Sequence, residues 1–137
     1  MEITALIPHR PPMLMIDALK RCDADSAVAT KTFRAGSYGL HDGRVIEAAL
    51  IECVAQAVAA LHGSSSGAQP HAGMLVGVTD FKYYSPAEAD RELEVTVEIT
   101  KRLGPLCMAN GRVSQGEVPV AEGRLKFYIE EDAGAAS

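Results

Sequence analysis

The chain has 137 residues, the size of one ordinary domain, and a hydrophobic share of 47% that is enough to build a core. Its formal net charge is −5 and no basic stripe interrupts it, which argues against nucleic acid as a partner. Cys22, Cys53 and Cys107 are far apart and form neither a CxxC pair nor an even framework, a reduced pattern that fits a cytoplasmic protein.

The opening residues MEITALIPHR lack the basic and apolar regions of a leader and read as one helical turn anchored by Leu6. Pro8-His9-Arg10-Pro11-Pro12 then imposes an extended or turning path. Met13–Leu19 is apolar around Asp17 and is predicted to be the first strand; Ala27–Phe33, with Val and Thr, is the second. Arg34–Arg44 has three Gly and no periodicity, so it reads as a loop whose Asp42 approaches or caps the following helix.

Val45–His62 is predicted to be that helix, at roughly 27 Å long. Up to Leu61 it is apolar apart from Glu47, Glu52 and Gln56, so it should be buried on most sides. Its polar interruptions make it a poor membrane span. Gly63–Gln69 reads as a polar linker. Gly73–Tyr84 is predicted as a long strand bent at Gly77. Leu93, Val95, Val97 and Ile99 alternate with Glu94, Thr96, Glu98 and Thr100, the period of a half-buried strand. Leu106–Ser114 and Val118–Ile129 are the last two, joined by a tight turn with Gly116 at positive φ. The expected organisation is one domain over residues 1–130 and an acidic tail over 131–137. About six strands with one early buried helix is an α+β pattern, an antiparallel sheet wrapped round a helix. Such a sheet leaves an open edge, which a second copy would cover.

Glu52 is the anomaly in the helix, and Gln56 lies one turn on along the same face. A buried carboxylate has to be paired, hydrogen-bonded or protonated. Burial favours the neutral acid, the form a general acid needs at neutral pH. The alternative is that Glu52 meets a backbone group or an Arg and only fixes packing. Among the histidines, His41 stands in the glycine-rich loop that leads to the helix N-terminus, whose free N–H groups suit a developing enolate. An imidazole base there and a carboxylic acid at Glu52 would serve proton removal next to a carbonyl and loss of a hydroxyl; otherwise His41 is an exposed turn residue. Tyr38 in the same loop is either a hydrogen-bond donor or a packing group. His62 and His71 read as structural, and His9 as a residue on a locked backbone. Their spacing fits no metal motif, and no serine-hydrolase elbow, phosphate loop or dinucleotide fingerprint occurs, so neither metal nor cofactor is expected.

Leu6-Ile7-Pro8-His9-Arg10-Pro11-Pro12-Met13-Leu14-Met15-Ile16-Asp17 resembles the opening of the beta-hydroxyacyl-[acyl carrier protein] dehydratases. Ile51-Glu52-Cys53-Val54-Ala55-Gln56-Ala57 resembles that family's central helix, where an acid is followed by Ala-Gln. The resemblance runs from Leu6 to about Ile129 and is nearest to the divergent 3-hydroxyacyl-[acyl carrier protein] dehydratase-like branch. It implies the hot dog fold, an acyl tunnel between subunits, no cofactor, and a substrate carried on acyl carrier protein or coenzyme A. It also implies a homodimer, or a heterodimer with a related hot dog subunit. In the family a His of one subunit removes the C2 proton and an acid of the other assists loss of the C3 hydroxyl. Glu52 matches that acid and Gln56 the residue that orients it. The family's loop Gly-His-Phe-Pro is absent: Tyr38 stands at the matching position and His41 is the nearest imidazole. The resemblance therefore implies a dehydratase, and alternatively a non-catalytic or partner-dependent acyl-binding subunit, or a hot dog thioesterase.

Overall fold

A computed structural model describes residues 2–65 and 73–129. The expected role of His71, most of the 63–69 linker and the 131–137 tail lie outside those residues. A 3-10 turn at Ile3–Ala5 leads to β1 (Ala18–Cys22), β2 (Ser26–Thr32), β3 (Leu40–His41) and β4 (Arg44–Val45). The long helix α1 (Glu47–Ser65) follows, then β5 (Gly73–Tyr83), β6 (Glu92–Leu103), β7 (Leu106–Gln115) and β8 (Val118–Ile129). Six strands form one antiparallel sheet in the order β1-β2-β6-β7-β8-β5, and β3 and β4 form a separate hairpin. The sheet wraps round α1, which packs chiefly across β6, β2 and β7: this is the hot dog fold.

Sequence periodicity explains the wrapping. Leu93, Val95, Val97 and Ile99 of β6 are buried, while Glu92, Glu98 and Thr100 on the opposite face are exposed. From α1, Leu50, Cys53, Val54, Ala57, Val58 and Leu61 fill the space against them. Gly111 of β7 sits where the helix comes nearest; a methyl group built on it overlaps Val54 Cγ1. Val54 is β-branched and fully buried, so it has little room to turn aside. Gly111→Ala is expected to destabilise the fold by about 1–3 kcal/mol through overpacking, read as a lower melting temperature in thermal denaturation.

Three local expectations differ from the structure. Met13–Asp17 is not strand: the first strand starts at Ala18, because the backbone of Met13 and Met15 bonds to side chains of α1 instead of to a neighbouring strand. The loop before the helix contains the β3–β4 hairpin, turned at Asp42-Gly43 with φ of 51° and 75°. Positive φ at both central residues is the hairpin turn geometry that Asp-Gly favours. Asp42 is thus a turn residue and not a cap; Ile46 accepts the first helical bonds, from Ala49 N–H at 3.0 Å and Leu50 N–H at 3.2 Å. The helix also continues past His62 to Ser65. The bend at Gly77 is present as a shift in the β5–β8 register between Leu75 and Gly77, and Gly116 has φ of 63°.

Candidate active site

α1 is not buried all round. Ala48, Ile51, Glu52, Ala55, Ala59 and His62 form a stripe of exposed and half-buried residues along it. Glu52 stands on that stripe with 36% of its side chain exposed, so the carboxylate meets solvent and is not sealed in the core. Gln56, one turn on, is the buried member of the pair, at 1% exposure.

Gln56 uses its side-chain amide in three hydrogen bonds. Its Oε1 accepts from Met15 N–H at 2.6 Å, and its Nε2 donates to the Met13 carbonyl at 2.7 Å and to Glu52 Oε1 at 2.8 Å. Those three bonds pin the extended 13–15 segment to the helix and fix the carboxylate. The amide orientation follows from the network, since only this arrangement leaves each partner matched. Cys53 completes the junction by donating its thiol hydrogen to the Met15 carbonyl at 3.1 Å. Burial pushes that thiol up to about 12, so it is a neutral packing group and not a nucleophile.

His9 arrives from the N-terminal segment. Its Nε2 lies 3.6 Å from Glu52 Oε1, within ion-pair reach and just beyond a hydrogen bond. The segment is held rigidly. Arg10 folds its guanidinium back onto the carbonyls of Ile7 at 2.9 Å, His9 at 2.8 Å and Thr4 at 3.2 Å. Leu6 and Ile7 are buried, and the Leu6 carbonyl rests against Gly63 of α1 so closely that any side chain there would strike it.

A cavity of about 290 Å³ opens beside these groups, lined by Pro8, His9, Glu52, Gln56 and His62 and walled by apolar side chains. Ala55 and Ala59 form its floor on the helix, and Leu75, Phe127 and Ile129 come from the facing strands. A larger groove of about 600 Å³ lies on the outer sheet face among Asp80, Glu98, Arg112, Glu122 and Arg124. It is mixed in charge, open to solvent and remote from the acid, so the smaller cavity is the better candidate site.

The structure gathers Glu52 and Gln56 at this cavity and does not gather His41 or Tyr38 there. His41 is on the β3–β4 hairpin with its side chain 81% exposed, and its Nε2 lies 3.4 Å from Asp42. Tyr38 is also exposed, and Glu47 points away into solvent. His9 brings an imidazole to Glu52 within the chain. Its signal in the sequence was the proline-bounded run Pro8–Pro12, which fixes a path but does not say where it leads. Among the described residues no cluster of His, Cys, Asp or Glu is arranged to hold a metal ion. Nor is any helix among them long and apolar enough to cross a membrane.

The chain is similar in sequence and in fold to known proteins. Residues 1–136 match the family described as ApeP-like, ApeP dehydratase. The chain is 28% identical over 138 residues to a 3-hydroxyacyl-[acyl-carrier-protein] dehydratase FabZ of Natranaerobius thermophilus, covering 95% of this chain and 96% of that one. The dehydratase heterocomplex ApeI:P from Xenorhabdus doucetiae contains a chain of the same fold, with a TM-score of 0.85 at 16% identity over 99% of this chain and 95% of that one. A hypothetical thioesterase of Streptococcus pneumoniae, solved with coenzyme A, shares the fold at a TM-score of 0.68 and 14% identity, over 84% of this chain and 86% of that one.

Proposed function

We propose, from the premise that this chain belongs to the ApeP-like dehydratase family, that it is the acyl-binding, partner-dependent subunit of a two-chain hot dog dehydratase. The substrate is a 3-hydroxyacyl thioester on acyl carrier protein, and the product is the 2-enoyl thioester and water. The observation that carries this reading is Glu52: a carboxyl held by Gln56 at the wall of an otherwise apolar cavity. In the reaction a base removes the C2 proton, the C2–H electrons become the C2–C3 double bond, and the C3 hydroxyl leaves as water with the proton of Glu52. An acid held in place is what departure of hydroxide requires, and the apolar walls suit an acyl chain.

Dependence on a related chain has two supports. The two edges of the sheet differ. The β1 edge carries Lys20 and Arg21 and a register shift, the features that blunt an edge. The β5 edge is long and exposes Met74 at 63%, Val76 at 48% and Val78 at 40%, an apolar strip beside the cavity mouth. The second support is the likeness to a chain from the dehydratase heterocomplex ApeI:P. In the proposed assembly His41 and Tyr38, exposed ahead of α1, belong to the half of a site that this chain offers its partner.

The test pairs the protein with a related hot dog subunit and supplies 3-hydroxyacyl and plain acyl thioesters. The complex is expected to release the enoyl product. Lys at both Val76 and Val78 is expected to split the complex, measured by light scattering, and to lower turnover at least about tenfold. Full activity of the separated chain contradicts the dependence, and thiol release without water loss contradicts the dehydratase.

A further inference from the structure

We propose that His9 is a positioning residue for Glu52: it approaches Oε1 from the N-terminal segment as a hydrogen-bond donor, steadies the carboxylate left after proton transfer, and confines the transferable proton to Oε2. The proposal deepens the dehydratase reading and rests on it for its kinetic half. Three observations carry it. First, Gln56 Nε2 at 2.8 Å and His9 Nε2 at 3.6 Å converge on the same oxygen, Oε1, from two different elements. Both contacts fall on Oε1, and in this proposal Oε2 is assigned to the substrate. Gln56 Nε2 already donates to Oε1 and His9 Nε2 faces the same oxygen, an arrangement that directs the acid's hydrogen to Oε2.

Second, His9 Nδ1 is buried and has no hydrogen-bond partner. A hydrogen on Nδ1 would be stranded there, which costs more than a buried lone pair. The tautomer with its hydrogen on Nε2 leaves only a lone pair at the buried Nδ1 and shows Glu52 a donor. A donor cannot also remove the C2 proton, so His9 acts through Glu52 and not on the substrate. Third, the arm that carries His9 is rigid. Arg10 ties three of its carbonyls, and Leu6 is lodged against Gly63. Catalytic hydrogen bonds are often longer in the empty site than in the bound one, so 3.6 Å is within the reach of such a contact.

The charged and titratable surroundings are few. On α1, Glu52 faces Gln56, and His62 is at the far end of the cavity. The β5 and β8 walls are Met74, Leu75, Phe127 and Ile129, all uncharged. Arg10 spends its guanidinium on backbone carbonyls, and Lys31 and Asp17 pair with each other at 3.4 Å. Among the described residues, His9 is thus the side chain from outside the helix that faces the Glu52 carboxyl. A donor at a carboxylate favours its charged form, so a variant without that donor is expected to titrate at higher pH than wild type. Turnover that needs protonated Glu52 then persists to higher pH, at a lower rate.

The experiment compares wild type, His9→Ala and His9→Gln in two measurements. The first follows the Glu52 side-chain carboxyl by ¹³C NMR across pH, its resonance identified by its loss in Glu52→Gln. The second records pH profiles of turnover in the two-chain complex. His9→Ala is expected to move the Glu52 midpoint and the alkaline limb upward together, and to lower kcat about ten- to hundredfold with KM little changed. His9→Gln, which keeps an N–H donor, restores most of both. An unmoved midpoint in both variants overturns the proposal, even if kcat falls, because packing alone would do that. If the wild-type complex shows no dehydration, the dehydratase reading fails while the titration still decides the role of His9.

Discussion

Glu52→Gln is expected to reduce dehydration by the assembled protein about a hundredfold to ten-thousandfold, the scale of a lost general acid. The effect should fall on kcat, because the amide keeps the shape of the site while losing the transferable proton. The fold should survive. The side chain is partly solvated, and an amide oxygen in place of Oε1 still accepts from Gln56 Nε2. An unchanged melting temperature with lost turnover is the expected pair of results. Unchanged turnover moves the acid to another residue.

Gln56→Leu is expected to cost stability and activity together. Leucine fills a similar volume but removes three hydrogen bonds at once, those to Met15 N–H, the Met13 carbonyl and Glu52. The Gln56 end of the network is fully buried, so the Met15 N–H is left without a partner and without water. An orphaned buried donor costs about 1–3 kcal/mol and each lost bond about 1 kcal/mol, so a loss of about 3 kcal/mol is expected. For a domain of this size that lowers the melting temperature by about 10 °C. Turnover should fall as well, since Glu52 loses its near anchor. Gln56→Glu separates the two effects: it can still accept from Met15 N–H, but sets a second carboxylate beside Glu52. A variant at position 56 that matches wild type in melting temperature would contradict the clamp.

Much of this was legible in the chain. The alternation from Leu93 to Ile99 could only be a half-buried strand, and Glu52 and Gln56 stood out as polar residues one helical turn apart in an apolar run. The first strand was misplaced for a physical reason. Met13 and Met15 look like strand by composition, yet their backbone groups are met by Gln56, more than forty residues away along the chain. Local sequence does not reveal such a partner. The hairpin at Asp42-Gly43 had its signal in the dipeptide itself, but a loop reading of Arg34–Arg44 passed over it. His9 was hidden for the opposite reason. Its position depends on Leu6 packing against Gly63 and on Arg10 turning back, contacts between distant parts of the chain that no periodicity encodes. His41 drew attention by lying next to the helix in sequence, which is not the same as facing Glu52 within the subunit.

The most direct measurement is to map where substrate sits. The protein paired with its related subunit, labelled for NMR, is titrated with a 3-hydroxyacyl pantetheine amide, which keeps the acyl group and resists cleavage. The account predicts shifts concentrated at Glu52, Ala55, Ala59 and Phe127, and their loss when Ala59→Phe fills the small cavity. Shifts confined to the outer groove around Arg112 and Arg124, or left intact by Ala59→Phe, would contradict it.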